Sequence, residues 1–366
     1  MRFGIFFELS VPRPLTREHE QQVYRNALAQ ARLADELGFA TVWAVEHHFL
    51  EEYSHCSAPE LLLTAVATST ERIRVGHGAV VCVPEMNHPV RVAERASVLD
   101  ILSGGRLEFG TARASTYTEL GGFGASPDAT KMSWDEYIHV LPRMWTEERL
   151  SYQGTTFSFP ERAVLPKPFQ QPHPPMWVTV TSPGTELDAA DRGIGCLGVA
   201  AASFGEQERR TAEYRKRIQH CDPVSSVVND RVATLNWLFC HEDDATAVRV
   251  GGAMFKTFNV LNSHLMWTRE VFPTRAYQSL GNLAPGATAG QTQRSENPGE
   301  HRPVPDGVGI GDPDRIVEAV KVWESIGVDE INFLVNTTEL IPQDQVLDSM
   351  RLFAREVMPH FSAGAR

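Results

Sequence analysis

The run Glu46-His47-His48 carries the residue types best suited to proton transfer. Histidine changes its charge near neutral pH, so it can donate or accept a proton during a reaction. Successive residues of a strand face opposite ways, so the two histidines are poorly placed to bind one metal ion together. One of them, with Glu46 beside it, is therefore a candidate catalytic group, and we expect no metal site. Histidines that are hydrogen-bonded at a strand end for structural reasons are the alternative.

Cationic and hydroxyl side chains later in the chain could bind an anion. Arg113 follows a predicted strand, and Lys131 lies at the start of the next predicted helix. Thr181, Ser182 and Thr185 lie where another predicted strand meets a helix. Unpaired N–H groups and the helix dipole favour an anion at a helix start, and arginine binds phosphate or carboxylate well. Ordinary helix capping by Ser182 is the alternative.

Two glycines flank a histidine in the run Gly76-His77-Gly78-Ala79. Glycine permits backbone conformations, and a close approach of a ligand, that other residues do not permit. The run could therefore lie against a bound molecule. A turn or a β-bulge is the alternative.

The elements around these residues alternate between strand and helix along the whole chain. The pattern predicts eight strands, which begin near residues 2, 40, 73, 106, 177, 194, 231 and 330. This alternation is typical of a parallel sheet with helical crossovers, and eight units predict an α/β fold, a (β/α)8 TIM barrel. An open, doubly wound sheet is the alternative, but no G-x-G-x-x-G motif follows the first strand. In a barrel, the residues described above lie at the carboxyl ends of strands, where active sites form.

Two stretches interrupt the repeat and are expected to be inserted loops. Residues 148–175 contain aromatic residues and several prolines, which predict an ordered insertion such as a hairpin. Residues 280–311 are rich in small residues, and we favour a mobile lid there over a disordered segment. The lid requires that the segment lie on the active-site end of the barrel. We expect substrate specificity to depend on these two stretches.

The overall charge and composition exclude several classes of protein. Lysine and arginine number 34 against 46 aspartates and glutamates, and the net charge of −12 disfavours nucleic acid and anionic membranes as partners. No apolar run is long enough to span a bilayer, and the first residues lack a signal-peptide pattern, so we expect a cytoplasmic protein. Five cysteines without C-x-x-C spacing argue against a disulfide framework or a zinc knuckle.

A series of short motifs in a fixed order adds a family resemblance to these patterns. The motifs are MRFGIFF at residues 1–7, Leu37-Gly38-Phe39, Trp43, Glu46-His47-His48-Phe49, Arg74-Val75-Gly76, His88-Pro89-Val90-Arg91, Leu99-Asp100, Leu102-Ser103-Gly104-Gly105-Arg106, Phe109-Gly110, Gly327-Val328-Asp329-Glu330 and Val357-Met358-Pro359. Together they resemble the bacterial luciferase-like family of flavin-dependent monooxygenases over most of the chain. The resemblance implies a single barrel domain, residues 1–366, that binds reduced FMN at its carboxyl-terminal rim.

The resemblance also implies roles for individual residues. His47 matches the family's catalytic histidine, which transfers a proton or hydrogen-bonds the oxygenated flavin. Gly78-Ala79 matches a non-prolyl cis peptide beneath the flavin ring. The positions that match the FMN phosphate site are Arg113, Lys131, Ser182 and Thr185, with Thr181 contributing its N–H and hydroxyl. Bacterial luciferase has a reactive cysteine where this chain has Ala112, so we expect no thiol there in the chemistry.

The implied activity is that of an FMNH2-dependent monooxygenase. A separate flavin reductase supplies reduced FMN, O2 adds to give a C4a-hydroperoxyflavin, and a small organic substrate is oxygenated. Helices 59–68 and 89–102 match those at the dimer interface of relatives, which implies a homodimer. Two alternatives stay open: an oxidoreductase that transfers hydride with the deazaflavin F420 on the same fold, and a non-catalytic flavin-binding protein. The sequence does not identify the substrate.

Overall fold

Parallel strands close into a barrel in this computed structural model, which describes residues 1–114, 116–182, 184–199, 204–267 and 304–361. The strands of these residues are β1 (Arg2–Phe7), β2 (Thr41–Ala44), β3 (Arg74–His77), β4 (Val80–Val81), β5 (Leu107–Ala112), β6 (Leu150–Gln153), β7 (Ser158–Arg162), β8 (Met176–Val180), β9 (Gly195–Val199), β10 (Val232–Cys240), β11 (Gly309–Gly311) and β12 (Glu330–Leu334). Eight of them pair in parallel in the order β1-β2-β3-β5-β8-β9-β10-β12, and β12 pairs with β1 to close the ring. The predicted (β/α)8 TIM barrel and its eight strands are confirmed.

Helices surround this barrel and connect its strands. They are α1 (Arg17–Leu37), α2 (Pro59–Thr68), α3 (Pro89–Leu102), α4 (Tyr117–Gly122), α5 (Thr130–Thr146), α6 (Thr185–Asp191), α7 (Phe204–Ile218), α8 (Asp244–Trp267), α9 (Pro313–Ser325) and α10 (Gln343–Glu356). Local chemistry sets their ends. The Asp312 side chain accepts the N–H of Arg315 at 2.9 Å to cap α9, and Gly38 ends α1 with a φ of 87°.

An ion cluster around the buried Glu108 lies at the amino-terminal end of the barrel. The Glu108 carboxylate lies 2.5 Å from Nε of Arg74 and 2.7 Å from Nη2 of Arg231, and it accepts the indole N–H of Trp177 at 2.6 Å. The guanidinium of Arg231 also lies over the Trp177 ring, 4.6 Å from its centroid. These groups satisfy one another at this end, so the candidate residues of the opposite, carboxyl-terminal rim are separate from them.

The single strand predicted to begin near residue 73 is divided in two, which corrects the sequence-based prediction. β3 and β4 are separated by Gly78 and Ala79, whose peptide bond is cis, as the resemblance implies. β4 pairs with the end of β5, Val80 opposite Thr111. A Cβ at Gly110 of β5 would collide with the carbonyl oxygen of His77, so glycine is required where β5 passes the break.

The insertion at residues 148–175 contains the expected hairpin, in which β6 pairs antiparallel with β7. Its turn packs on α5, where Glu136 accepts the N–H of Thr155 at 2.7 Å. Beyond the hairpin, the side-chain amide of Gln170 donates to the carbonyl of Leu107 at 2.9 Å, at the amino-terminal start of β5. The end of this stretch thus lies beside the amino-terminal start of β5, and its part in substrate specificity stays a prediction.

The second insertion is described only at its end. Most of it, residues 280–303, lies outside the described residues, so the lid stays a prediction. The end that is described forms β11, which pairs with Leu238–Cys240 at the carboxyl-terminal end of β10. Among the described residues, every helix is too short or too polar to cross a membrane.

Candidate active site

His47 lies directly beyond the carboxyl end of β2, with a carboxylate facing each ring nitrogen. Its Nδ1 is 2.9 Å from Oε1 of Glu119, and its Nε2 is 3.8 Å from Oε2 of Glu8. His48 turns the other way, with Nε2 3.2 Å from Oε1 of Glu46. The prediction that the two histidines face opposite ways is confirmed. Within the described ranges, no three histidine, cysteine or acidic side chains are arranged to hold a metal ion.

Glu119 reaches His47 from α4 and is itself firmly held. The Thr116 hydroxyl caps α4 by accepting the N–H of Glu119 at 3.3 Å, and it donates to Oε2 of Glu119 at 2.8 Å. The backbone N–H of His48 donates to Oε1 of the same carboxylate at 3.2 Å. Burial alone would raise the pKa of Glu119, but His47 and these hydrogen bonds hold that pKa below its ordinary value. Glu119 is therefore an ionised, buried partner for the imidazole.

The charges around His47 favour a bound proton. Burial opposes a charge on the ring, but the carboxylates of Glu119, Glu8 and Glu46 outweigh burial and raise the pKa of His47 to about 9. Burial raises the pKa of Glu8 to about 7, although His47 and the Tyr53 hydroxyl act in the opposite direction. His47 is thus charged at neutral pH while Glu8 is near its midpoint. Such shifted groups in one cluster are typical of sites that transfer protons.

Aromatic rings cover one side of this cluster. The Tyr53 ring meets His47 edge-on at 5.5 Å between centroids, and it stacks on Phe258 of α8 at 5.4 Å. Phe258 also contacts Trp237 of β10, at 5.9 Å. The Tyr53 hydroxyl donates to Oε1 of Glu8 at 3.5 Å. These rings shield the cluster from water, which strengthens its electrostatic interactions.

Glu46, the second candidate catalytic residue, contacts the backbone beyond β3 and not the His47 ring. Its carboxylate accepts the N–H of Val81 at 2.8 Å and the side-chain amide of Asn87 at 2.7 Å, besides facing His48. Asn87 also donates to the carbonyl of Val81 at 3.0 Å. The structure thus places Glu46 as a buried support for the segment that contains β4.

The Gly78-Ala79 peptide lies at the same rim, between β3 and β4. The Gly78 N–H donates to the carbonyl of Ala44 at 2.8 Å, next to the end of β2. A Cβ at Gly78 would lie 2.6 Å from the Phe6 ring of β1, so the backbone passes close to that ring. Burial lowers the pKa of the adjacent His77 to about 4, so its ring is neutral at physiological pH.

The residues predicted to bind an anion end two neighbouring strands. Arg113 directly follows β5, Thr181 and Ser182 directly follow β8, and Thr111 is opposite Val178 where those strands pair. Thr185 begins α6 and is buried. The N-cap of α6 is Gly184, which makes no side-chain capping hydrogen bond, so capping by Ser182 is not observed.

Lys131, the other predicted cation, is paired with a carboxylate. Its Nζ is 2.9 Å from Oδ2 of Asp188 in α6, and its side chain is 60% exposed. An ion pair with this exposure contributes little to stability. Lys131 therefore reaches α6, but Asp188 would compete with a phosphate for its charge.

Sequence reasoning missed Glu8, Glu119 and Tyr53. Glu8 had a signal, because it interrupts an apolar run directly after the first strand, at the same rim position that singled out His47. The spacing of Thr116 and Glu119 is that of a capping box, which predicts a helix start but no partner for the carboxylate. The contact between Glu119 and His47 joins residues 72 positions apart, which no local pattern reports.

Comparison with known proteins matches this chain to one family model and to several relatives. A family model described as luciferase-like monooxygenase matches residues 1–330. The uncharacterised protein y4wF of Sinorhizobium fredii is 34% identical over 204 residues, which span 55% of this chain and 57% of that protein. The oxygenase component of a flavin-dependent trigonelline monooxygenase from Acinetobacter baylyi is 24% identical over 99% of this chain and 96% of its own length.

Solved structures share the fold along the whole chain. The monooxygenase RslO1 from Streptomyces bottropensis superposes with a TM-score of 0.79 at 26% identity, covering 99% of this chain and all of that one. Enzymes that depend on coenzyme F420 are also among the solved structures with this fold. The fold alone therefore does not separate the two cofactors.

Proposed function

The chain belongs to the luciferase-like monooxygenase family, and we propose on that basis that it is a monooxygenase that uses reduced FMN and O2 to oxygenate a small organic substrate. The observation that carries the proposal is His47, held between Glu119 and Glu8 at the carboxyl-terminal rim. An acid of this kind can supply the proton that an oxygenation needs when one oxygen atom leaves as water. The named relatives that are monooxygenases support the same chemistry.

The residues present fit the phosphate of FMN by the chemistry of their donors. Arg113 and the hydroxyls of Thr181, Ser182 and Thr185 end adjacent strands or begin the following helix. Within the described ranges, the Ser182 hydroxyl makes no capping hydrogen bond to α6. Arginine, hydroxyl and backbone N–H groups are the donors that bind phosphate in proteins. We propose that these residues hold the phosphate, with Lys131 contributing charge from the periphery.

The remaining roles concern the ring of the cofactor and the proton. We propose that Gly78 and Ala79 form the backbone surface against which the flavin ring lies, and that Glu46 keeps this segment in place through Val81. Reduced FMN, when bound, would supply two of the four electrons that O2 takes up, and the substrate would supply the other two as it gains one oxygen atom. His47 then holds and moves the proton, while the Tyr53 and Phe258 rings exclude water from it.

A separate flavin reductase is the proposed source of reduced FMN. The relative from Acinetobacter baylyi is named as the oxygenase component of its enzyme, which supports a division between two proteins. We propose that residues 1–366 form one barrel domain that acts as such an oxygenase component. A short-lived reduced cofactor would then pass from the reductase to the rim described above.

Cofactor binding under anaerobic conditions tests this proposal. Reduced FMN, oxidised FMN and F420 are titrated separately into the protein, and binding is followed by fluorescence and by equilibrium dialysis. We expect reduced FMN to bind at least about tenfold more tightly than F420, a difference of roughly 1.4 kcal/mol. Tighter binding of F420 than of either form of FMN would overturn the proposal in favour of hydride transfer.

A further inference from the structure

The two ring nitrogens of His47 have unequal partners. Nδ1 is within hydrogen-bond distance of Oε1 of Glu119, at 2.9 Å. Nε2 faces Oε2 of Glu8 at 3.8 Å, which is an ion-pair distance but too long for a hydrogen bond. Among the described residues, Nε2 makes no hydrogen bond. One side of the ring is therefore fixed and the other is free to react.

The fixed side is built from a buried and fully engaged carboxylate. Glu119 is 0% exposed, and it accepts from the Thr116 hydroxyl at 2.8 Å and from the His48 N–H at 3.2 Å in addition to facing Nδ1. A carboxylate with donors on both oxygens has little freedom to rotate. Since it accepts hydrogen bonds only, it requires a proton on the nitrogen it faces.

We propose, as a refinement that rests on the proposed function, that Glu119 is a positioning residue that keeps the proton of His47 on Nδ1 and so makes Nε2 the atom that exchanges protons in the reaction. When Nε2 releases its proton to the reacting oxygen, the imidazolium becomes a neutral ring protonated on Nδ1. Its charge falls from +1 to 0, and Glu119 stays a carboxylate throughout. Reprotonation of Nε2 restores the starting state.

The groups that face His47 come from several elements. They are Glu8 after β1, Tyr53 in the loop after β2 and Glu119 in α4, while Glu46 after β2 acts on the ring through its charge without contacting it. Of the residues that the structure describes, Glu119 alone makes a hydrogen bond to the ring. Its removal should therefore change both the pKa of His47 and the nitrogen that carries the proton, whereas Glu8 contributes charge alone.

NMR of the imidazole nitrogens tests this assignment on the protein without cofactor. Histidine labelled with 15N is titrated in wild type, and the His47 signals are identified by their loss in His47→Ala. We expect the neutral ring of wild type to carry its proton on Nδ1. In Glu119→Gln the pKa of His47 should fall by about one unit or more, since an opposite charge at this distance shifts a pKa by one to three units. Glu119→Asp should restore part of the shift.

Glu108→Gln is the matched control, because it removes an equally buried carboxylate at the other end of the barrel. We expect it to leave the His47 signals unchanged. A neutral His47 protonated on Nε2 in wild type, or an unchanged pKa in Glu119→Gln, would overturn the proposal. The tautomer of the neutral His47 ring in wild type tests the proposal even if Glu119→Gln does not fold. Because no flavin is present, this result is independent of whether the proposed cofactor is right.

Discussion

The residues at the candidate site differ in how strongly the fold constrains them. His47 is held by Glu119 and faced by Glu8, so its proton affinity is set by groups from three elements. Glu46 is constrained just as strongly, but by the backbone of Val81 and the amide of Asn87. We therefore propose separate tasks for these neighbouring residues of one motif: proton transfer for His47 and support of the rim for Glu46.

Arg113 carries the most direct prediction at the scale of one residue. We expect Arg113→Ala to weaken FMN binding by about 1.5–3 kcal/mol, the usual contribution of a hydrogen bond to a charged group. Isothermal titration with FMN measures the change in dissociation constant. Arg149→Ala is the control, since Arg149 pairs with Glu161 beside the hairpin and away from the rim. An unchanged dissociation constant for Arg113→Ala would remove Arg113 from the phosphate site.

Secondary-structure elements with strong local signals could be predicted from the sequence. The bounds of α2 and α3 agree with prediction, because each begins with a proline at its first position and carries apolar residues at helical spacing. The division between β3 and β4 could not be predicted from an apolar run, which looks the same on both sides of the break. α4 was missed as well, since six residues are too few for a periodic pattern.

The residues of the candidate site also fall into those that could be predicted from the sequence and those that could not. Rim positions such as His47 and Arg113 follow from counting strands, because the carboxyl ends of barrel strands meet at one end. Glu119 could not be found this way, since its element was missed and its contact with His47 is non-local. The lid expected at residues 280–311 lies mostly outside the described residues and stays a prediction.

Helices α2 and α3 carry a prediction about association. Leu61 is 70% exposed on α2, and Val98, Ile101 and Leu102 of α3 are each more than 40% exposed. Exposed apolar residues on two adjacent helices are typical of a protein interface. We propose that this surface forms the homodimer implied by the family resemblance. Light scattering should give twice the chain mass for wild type and about one chain mass for Leu61→Glu.

Val322→Glu on α9 is the control for this surface, because Val322 is also exposed but lies on another helix. It should leave the dimer intact. A wild-type protein that is monomeric at micromolar concentration would contradict the proposed interface, as would a dimer that tolerates Leu61→Glu.

The whole molecule has two chemically different ends. At the amino-terminal end of the barrel, Glu108 pairs with Arg74 and Arg231 and accepts the indole N–H of Trp177. The carboxyl-terminal rim holds His47 between carboxylates, with Arg113 and several hydroxyls at the ends of β5 and β8. Against a net charge of −12, we propose that Arg113 and its neighbours bind one phosphate and not a polyanion.

The most direct test of the monooxygenase proposal is the reaction of the loaded protein with O2. Protein and reduced FMN are combined without oxygen and then mixed rapidly with O2, and the absorbance of oxidised FMN is followed. A monooxygenase retains activated oxygen until a substrate arrives, so we expect this absorbance to return after a delay and more slowly than for free reduced FMN. Reoxidation at the rate of free reduced FMN, together with tight binding of F420, would contradict the account.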